Sequence, residues 1–380
     1  MGPPGVCAIT ERAGRLIVRP APMPLGDDFR RRLKEILSCP TAPFHEDHVH
    51  KAILDAVAAS GRLRAKSDAF GNLEVVYGKG RPQLLFTCHT DHPALEANGD
   101  GTATIQGGMH VRQLRGTGVR PFHGGRVATI GGMARGGGRG VVQLRGGKGL
   151  KKGTPLVLDL PAYRLTDRHI RARAIDDLCA VAACLTLLDR LEAARWRGCV
   201  GILFTRAEEV GFVGALGWSG LRRYPRTTTL INLEMSSALK HTPQGAGPIL
   251  RVGDRVTTFT HGAALELEAA ARALAKRDRH FRYQRALMDG GGCEATVYVF
   301  SGFRTGALCL PLKNYHNHAA RGGMGLEYVY ADDAENLVRW MVEYTRSFGR
   351  LHAWRGVERR LATLLKKHRG RLARTAKGIR

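Results

Sequence analysis

The sequence predicts an α/β fold in which a mostly parallel mixed sheet is flanked by helices and interrupted by an inserted small β domain. Over most of the 380 residues, short apolar runs typical of buried strands alternate with longer runs that have helical spacing. This alternation indicates parallel strands covered on both faces. Residues 93–166 differ, because they are rich in glycine, lack long helical periodicity and contain short β-type runs such as VATI, VVQL and PLVLDL. A block of this kind between two α/β segments predicts a β-barrel-like insertion.

The first α/β segment follows a weakly ordered N-terminus, residues 1–25. From Asp28 the run FRRRLKEIL has helical spacing, and HKAILDAVAAS predicts a second helix after the loop SCPTAPF. DAFGNLEVVYG predicts a turn and a strand, because Gly71 and Asn72 precede alternating apolar residues. LLFTCHTDH is mostly apolar, as expected of a strand that is buried on both faces.

The second α/β segment resumes after the insertion. AIDDLCAVAACLTLLDRLEAA predicts a helix that starts behind two aspartates. VGILFT, TTLINLEMS and GFRTGALCLPL predict strands, and VGFVGALGWSG, ALELEAAARALAKR and DDAENLVRWMVEYTRSF predict helices. We therefore expect a discontinuous main domain (residues 26–92 and 167–350), the inserted domain (93–166) and a basic C-terminal tail (351–380).

The composition is that of a globular protein without membrane segments. Hydrophobic residues make up 43% and charged residues 24% of the chain, and no apolar run reaches the roughly 18 residues of a membrane span. The first twenty residues lack the apolar core of a secretory signal. Eight cysteines occur singly, with no CxxC pair, which favours reduced thiols over disulfides or thiolate-bound zinc. We predict a cytoplasmic protein with no membrane partner.

The net charge of +26 is unusual and unevenly distributed. No acidic residue occurs between Asp100 and Asp159, where the chain has Arg112, Arg115, Arg120, Arg126, Arg135, Arg139, Arg145, Lys148, Lys151 and Lys152. A second basic block, from Arg355 onwards, could be a disordered tail or a basic helix that contacts a partner. Such charge suits polyanions, including nucleic acid, but it is equally consistent with a solvated surface. Few aromatic residues occur in these segments, so base-stacking surfaces are not evident.

Metal-type side chains recur where the predicted strands end. LLFTCHTDH supplies His89 and Asp91, which point the same way from a strand and suit an imidazole ligand oriented by a carboxylate. Asp176 and Asp177 stand at a helix start, where capping would also explain them. Because the carboxyl ends of parallel strands meet at one edge of a sheet, we expect these residues to converge.

The adjacent pair Glu208 and Glu209 is the most informative feature. Two carboxylates directly after a buried strand repel each other, and a divalent cation would remove the conflict. One glutamate would then bind metal while the other takes a proton from water. Glu234 follows in INLEMSS, and His316 in PLKNYHNH, where His318 is a competing candidate. Together these donors form the pattern of a dinuclear zinc hydrolase without thiolates.

The order of these motifs resembles the glutamyl/deblocking aminopeptidase family of dinuclear zinc exopeptidases, which are cytosolic and often oligomeric. The resemblance covers roughly residues 28–348. It includes HTD, the aspartate pair, Glu-Glu-Val-Gly, the later acid and the late histidine, and also DAFGNLEV and GGGCEATVYVFSG. It implies a zinc-exopeptidase-like main domain that is catalytic. It also implies an inserted domain that serves in dimerisation.

The resemblance further implies a role for each site residue. Asp176 would bridge two metal ions, His89 and Glu234 would complete the shell of one ion, and Glu209 and His316 that of the other. Glu208 would be the general base, and Asp91 would orient His89. The implied cofactors are two divalent ions per subunit, with zinc expected and cobalt or manganese possible. The implied partners are a peptide substrate and further copies of the chain.

Several positions depart from the family pattern. Leu178 stands where the family has arginine, Glu234 where it has aspartate, and Lys313 and Asn314 where it has arginine and tyrosine. These changes keep the ligand types, but they leave the specificity of the substrate pocket undetermined.

Two other functions remain open from the sequence. One is a different dinuclear hydrolase of the same clan, a carboxypeptidase or a deacylase. The other is a non-catalytic, basic protein that kept the fold and associates with nucleic acid. For an aminopeptidase, the arginine-rich insertion would steer acidic peptides toward the site.

Overall fold

The computed structural model describes residues 11–12, 15–16, 25–124, 127–134, 140–350 and 353–376. The predicted weak order of residues 1–25 lies outside the described residues, apart from Leu25 and two short paired strands, β1 (Glu11–Arg12) and β2 (Arg15–Leu16). In the described part of the chain, no helix is both long enough and apolar enough to cross a membrane.

The first α/β segment contains two helices and three strands. They are α1 (Asp27–Leu37), α2 (Asp47–Ala58), β3 (Leu63–Ser67), β4 (Leu73–Tyr77) and β5 (Leu84–His89). Every residue of β5 is buried, as its apolar sequence predicted.

The insertion contains a closed antiparallel barrel of six strands. The strands are β6 (Ala94–Ala97), β7 (Thr102–Gln106), β8 (Gly118–Pro121), β9 (Ala128–Met133), β10 (Val141–Arg145) and β11 (Pro155–Leu158), with the short helix α3 (Val111–Leu114) after β7. Around the barrel their order is β10-β7-β6-β11-β8-β9. Alternate residues point inward, so that Val142, Leu144, Leu156 and Leu158 help to form a core separate from that of the main sheet. The limits 93–166 of this domain stay a prediction.

The second α/β segment contains the remaining elements in this order: β12 (Tyr163–Leu165), β13 (His169–Ala172), α4 (Leu178–Ala193), β14 (Val200–Thr205), α5 (Val213–Gly220), β15 (Thr229–Ser237), β16 (Ile249–Arg251), α6 (His261–Arg277), β17 (Gln284–Ala286), α7 (Glu294–Phe300), β18 (Arg304–Leu312), a 3₁₀ turn (Tyr315–Asn317), β19 (Glu327–Tyr330), α8 (Ala331–Ser347) and α9 (Ala353–Ala376). The basic C-terminal block is thus a helix over 353–376, one of the two forms that the sequence left open.

The main sheet has eight strands in the order β17-β16-β18-β15-β5-β14-β4-β3. Its four central strands, β18, β15, β5 and β14, are mutually parallel, and antiparallel pairings occur toward both edges. This mixed sheet with the inserted barrel confirms the predicted fold class.

Both faces of the sheet are covered, because successive side chains of a strand point to opposite sides. Phe86 and Ile202 face the large core that contains α1, α4, α6 and α8. Their neighbours Leu85 and Leu203 face a smaller core with Trp218 of α5. Because the four central strands are parallel, their carboxyl ends lie side by side at one edge of the sheet.

A small three-stranded sheet joins two segments that are far apart in the sequence. β13 pairs with both β12 and β19 in antiparallel register. The pairing brings the loop before α4 next to the segment that follows β18. Residues 173–177 and 313–327, which are far apart in sequence, therefore meet near the carboxyl ends of the central strands.

Candidate metal centre

His89 is the last residue of β5, at the carboxyl end of the central strands. It lies opposite Thr205, the last residue of the parallel strand β14, so the residues that follow both strands enter the same region. The His89 Nδ1 atom is 3.2 Å from the Asp91 carbonyl oxygen and 3.5 Å from the Asp91 carboxylate. Its Nε2 atom faces Asp176 at 3.3 Å and Glu234 at 3.7 Å.

The two adjacent glutamates follow β14 in a turn that Asp91 holds from within. One oxygen of the Asp91 carboxylate accepts the N–H of Glu208 at 3.0 Å, and the other accepts the N–H of Glu209 at 3.1 Å. Asp91 is fully buried. Ligand atoms of Glu208 and Glu209 come within 4.8 Å of each other and of His89. Asp91 therefore orients the glutamates through their backbone and contacts the imidazole as well.

Asp176 lies in the loop between β13 and α4, and Glu327 of β19 fixes that loop. One Glu327 oxygen accepts the N–H groups of Ile175 at 2.7 Å and Asp176 at 3.0 Å. The other oxygen accepts the N–H of His316 at 2.8 Å. The peptide bond between Asp176 and Asp177 is cis. One buried carboxylate thus sets the spacing between two predicted ligands.

Glu234 and His316 complete the cluster from β15 and from the turn after β18. The His316 Nδ1 atom is 3.0 Å from the Gly108 carbonyl oxygen, which belongs to the barrel segment. Its Nε2 atom faces Glu209 at 3.3 Å. The competing residue His318 accepts the backbone N–H of His110 in the barrel segment, and its ring stacks on the His110 imidazole. His316, and not His318, thus points into the acidic cluster.

The predicted ligands form two triads that share one residue. His89, Asp176 and Glu234 form the first, and Asp176, Glu209 and His316 form the second, with the ligand atoms of each triad within 4.8 Å of one another. These five residues come from five separate segments of the chain. The structure therefore brings together the five predicted ligands with Glu208 and Asp91, and their individual roles stay predictions.

Burial and mutual repulsion dominate the electrostatics of the cluster. Burial raises the pKa of Glu208 well above its usual range, and burial together with Glu234 raises the pKa of Asp176 to about 7. Burial would lower the pKa of His316, but the carboxylates of Glu209 and Asp176 outweigh it and raise that pKa to about 10. Without positive charge from elsewhere, this many buried carboxylates cannot all ionise.

Metal ions fit the donors that this cluster offers. Asp176 Oδ1, Glu209 Oε1 and His316 Nε2 are buried without a hydrogen-bond partner. Buried polar atoms are nearly always satisfied, so atoms of this kind in a ligand cluster indicate an ion. Carboxylate oxygens and imidazole nitrogens without thiolate suit zinc, and they also accept cobalt or manganese.

A cavity of about 190 Å³ opens onto the first triad and Glu208. Its wall includes Tyr315, Ser236 and the glycine run 290–292. Arg251 of β16 also lines it, although the side chain is only 3% exposed. Among the described residues, no arginine or lysine of the segment 112–152 lines this cavity, and Arg126, Arg135 and Arg139 lie outside the described residues.

Several residues that shape the site were not predicted from the sequence. Glu327 stands in LEYVY with no motif around it, so no local signal could have found it. Glu46 accepts the N–H of Ala207, which has a positive φ of 51° just before the glutamate pair. His92 bonds through Nδ1 to the Asp176 carbonyl oxygen and through Nε2 to Asn317. For His92 a signal was present, because it directly follows the HTD motif.

Comparison with known proteins agrees with this geometry. Residues 147–335 match the model of the family described as M42 glutamyl aminopeptidase. No curated protein matches the chain. The family match confirms the family predicted from the motifs and supports a metal-dependent aminopeptidase, an enzyme that hydrolyses peptides.

Solved structures of aminopeptidases share the fold at low sequence identity. A TET aminopeptidase from Thaumarchaeota archaeon SCGC AB-539-E09 is 20% identical, with a TM-score of 0.72, and the match covers 87% of this chain and 99% of that one. The TET1 peptidase of Pyrococcus horikoshii, described as able to assemble into a tetrahedron or a large octahedral shell, is 22% identical, with a TM-score of 0.69 and coverage of 83% and 99%. An M18-family aminopeptidase from Thermotoga maritima is 12% identical, with a TM-score of 0.60 and coverage of 83% and 95%.

Proposed function

We propose that this chain, a member of the M42 glutamyl aminopeptidase family, removes N-terminal residues from peptides with the help of two divalent metal ions. The observation that carries the proposal is the pair of buried triads that share Asp176. A shared carboxylate between two imidazole-containing triads is the arrangement expected of a dinuclear hydrolase.

We assign His89 and Glu234 to one ion, Glu209 and His316 to the other, and Asp176 to both. Zinc is the ion that we expect, because imidazole and carboxylate donors are common ligands of catalytic zinc. When bound, the ions would polarise the scissile carbonyl and lower the pKa of water.

Glu208 is the proposed general base. Its carboxylate lines the cavity but lies outside the two triads that share Asp176. It can therefore take a proton from the attacking water and deliver that proton to the leaving amine. Asp91 acts as a positioning residue, because its carboxylate holds the backbone of the glutamate pair.

The cavity favours a substrate with a free amino terminus. His89, Asp176 and Glu234, which are assigned to one ion, line it together with Glu208. A neutral N-terminal amine is a donor that such an ion would accept, and an amine held there would bring the first peptide bond near Glu208.

Arg251 supports a second candidate function. Its Nη2 atom donates to the Gly291 carbonyl oxygen at 3.2 Å, but its buried Nε has no hydrogen-bond partner. A guanidinium at the cavity wall would suit either an acidic side chain of the substrate or a C-terminal carboxylate. The second of these would make the protein a carboxypeptidase of the same clan. The non-catalytic alternative has no such support, since the family match is to a peptidase.

A panel of aminoacyl-p-nitroanilides tests the proposal, with purified protein in metal-loaded and chelated form. We expect metal-dependent release that Glu208→Gln lowers by at least about 1000-fold, the scale of general-base catalysis together with loss of charge. Glu335→Gln is the control, because this buried glutamate pairs with Arg190 and neither residue lines the cavity. Activity on N-blocked dipeptides in place of the panel would favour the carboxypeptidase, and full activity of Glu208→Gln would contradict the assigned base.

We also propose that the chain assembles into homo-oligomers through the barrel and works in the cytoplasm. The support for assembly is the likeness to TET peptidases that form large particles. Size-exclusion chromatography with light scattering would measure the oligomer directly.

A further inference from the structure

Helix α9 carries a row of apolar side chains that the fold leaves in water. Val357, Leu361, Leu364, Leu365 and Leu372 are between 43% and 66% exposed. At 3.6 residues per turn they fall within an arc of about 100° around the helix axis. An exposed apolar stripe of this length usually marks a surface that contacts a partner.

The rest of the helix is strongly basic. From Gly356 to Ala376 the chain has one acidic residue, Glu358, and seven cations: Arg359, Arg360, Lys366, Lys367, Arg369, Arg371 and Arg374. The same helical geometry places these cations away from the leucines, with Arg360 and Arg371 along one border of the apolar stripe and Arg369 along the other. The helix is therefore amphipathic, with one apolar face and one cationic face.

We propose that α9 lies flat on a membrane surface that contains anionic lipids. Leucines would enter the boundary between headgroups and acyl chains, and the flanking arginines would contact lipid phosphates. No described helix can cross a membrane, and a helix in the plane of the headgroups does not need to. The expectation of no membrane partner rested on the absence of a spanning segment, which a helix in the headgroup plane does not require.

Charge and apolar surface together select this partner over two others. A nucleic acid would neutralise the cations but leave the five apolar side chains in water. A second copy of α9 would cover those side chains but would bring two helices with a large excess of like charge together. An anionic membrane covers the apolar face and neutralises the basic face at once.

Sedimentation of the purified full-length chain with phospholipid vesicles tests the proposal. We expect binding to vesicles of 70% phosphatidylcholine and 30% phosphatidylglycerol, no binding to pure phosphatidylcholine, and weaker binding as salt rises. Leu361→Gln combined with Leu365→Gln should weaken binding at least about 30-fold, because two leucine side chains that would be buried in the membrane are lost. Arg360→Gln combined with Arg371→Gln should weaken it about 30-fold through loss of two charges. Glutamine keeps a high helix propensity, so the helix itself should persist.

The matched control is Leu54→Gln, since Leu54 of α2 has a similar exposure outside α9. This variant should bind vesicles as the wild type does. Unchanged binding of the double leucine variant would overturn the proposal, because charge alone would then explain it. Absence of vesicle binding would also overturn the proposal. In that case, binding of single-stranded RNA would identify a nucleic-acid partner, and self-association that the double leucine variant abolishes would identify a second copy of the chain.

Discussion

Asp91→Asn is the sharpest test of how the glutamate pair is held. Both oxygens of the Asp91 carboxylate accept backbone N–H groups, those of Glu208 and Glu209. Asparagine has almost the same shape, but its single oxygen can accept only one of these N–H groups. Its NH₂ group would then face the other N–H, so that two donors meet in a fully buried position.

The size of the effect follows from these two bonds. A hydrogen bond to a charged group contributes about 1.5–3 kcal/mol, and a bond to a neutral group contributes about 1 kcal/mol. Loss of one charged bond and weakening of the other would cost about 2–4 kcal/mol. If the whole cost appears in the transition state, kcat falls by about 30- to 1000-fold. Metal affinity should also fall, by roughly 10- to 100-fold, because Asp91 also contacts the imidazole of His89.

Steady-state kinetics at saturating metal would measure the change in kcat, and a competing chelator would measure the change in metal affinity. The control is Asp333→Asn, assayed at pH 8. Asp333 is buried and accepts one N–H on each oxygen, from Gly245 and Gly247, outside the acidic cluster. The control should keep its kcat. If Asp91→Asn keeps kcat within twofold and binds metal normally, Asp91 does not hold the turn that contains Glu208 and Glu209. Equal loss of kcat in both variants would show that the effect is global.

Three further predictions follow from the same contacts. Glu327→Gln should lower the metal affinity roughly 10- to 100-fold, because the Glu327 carboxylate fixes the backbone of both Asp176 and His316. Atomic emission after dialysis would measure the metal content, and unchanged occupancy would contradict this prediction. Gly108→Ala would place a Cβ 2.7 Å from His316 Nδ1, which is too close for van der Waals contact. We expect kcat to fall at least about tenfold while the melting temperature changes little. Normal turnover would show that the imidazole can move away. Burial raises the pKa of Asp333 to about 7, above its unfolded value near 3.8, so its favourable contribution to stability is full below about pH 4 and is lost as the pH rises through 7. The melting temperature of the wild type relative to Asp333→Asn should therefore decrease between pH 5 and 8, and a constant difference would rule this out.

The strands of the main domain were largely predictable because their apolar runs are continuous. VGILFT became β14 with the predicted limits, and every residue in it is buried. The barrel was recognisable from its glycine content and short β-type runs, since small barrels need tight turns. The short strands β16 and β17 were missed, because three residues are too few to show a period.

The sequence by itself determined the types of the proposed ligands and their order along the chain. Metal chemistry restricts the donors to a few side chains, and strand ends are recognisable, so His89, Asp176, Glu209, Glu234 and His316 could be named from motifs. The adjacent glutamates were informative for the same reason, because their repulsion is local and needs no knowledge of the fold.

Only the tertiary structure decided how these proposed ligands are held. Glu327 bonds to backbone N–H groups of residues about 150 positions earlier in the chain, and Gly108 contacts His316 from the barrel across 208 positions. The apolar side chains of α9 likewise became evident as a surface feature only when the fold left them largely exposed. Such features depend on which segments meet in space, because a hydrogen bond or a buried face is a property of two partners, and the sequence around either partner alone does not record the other.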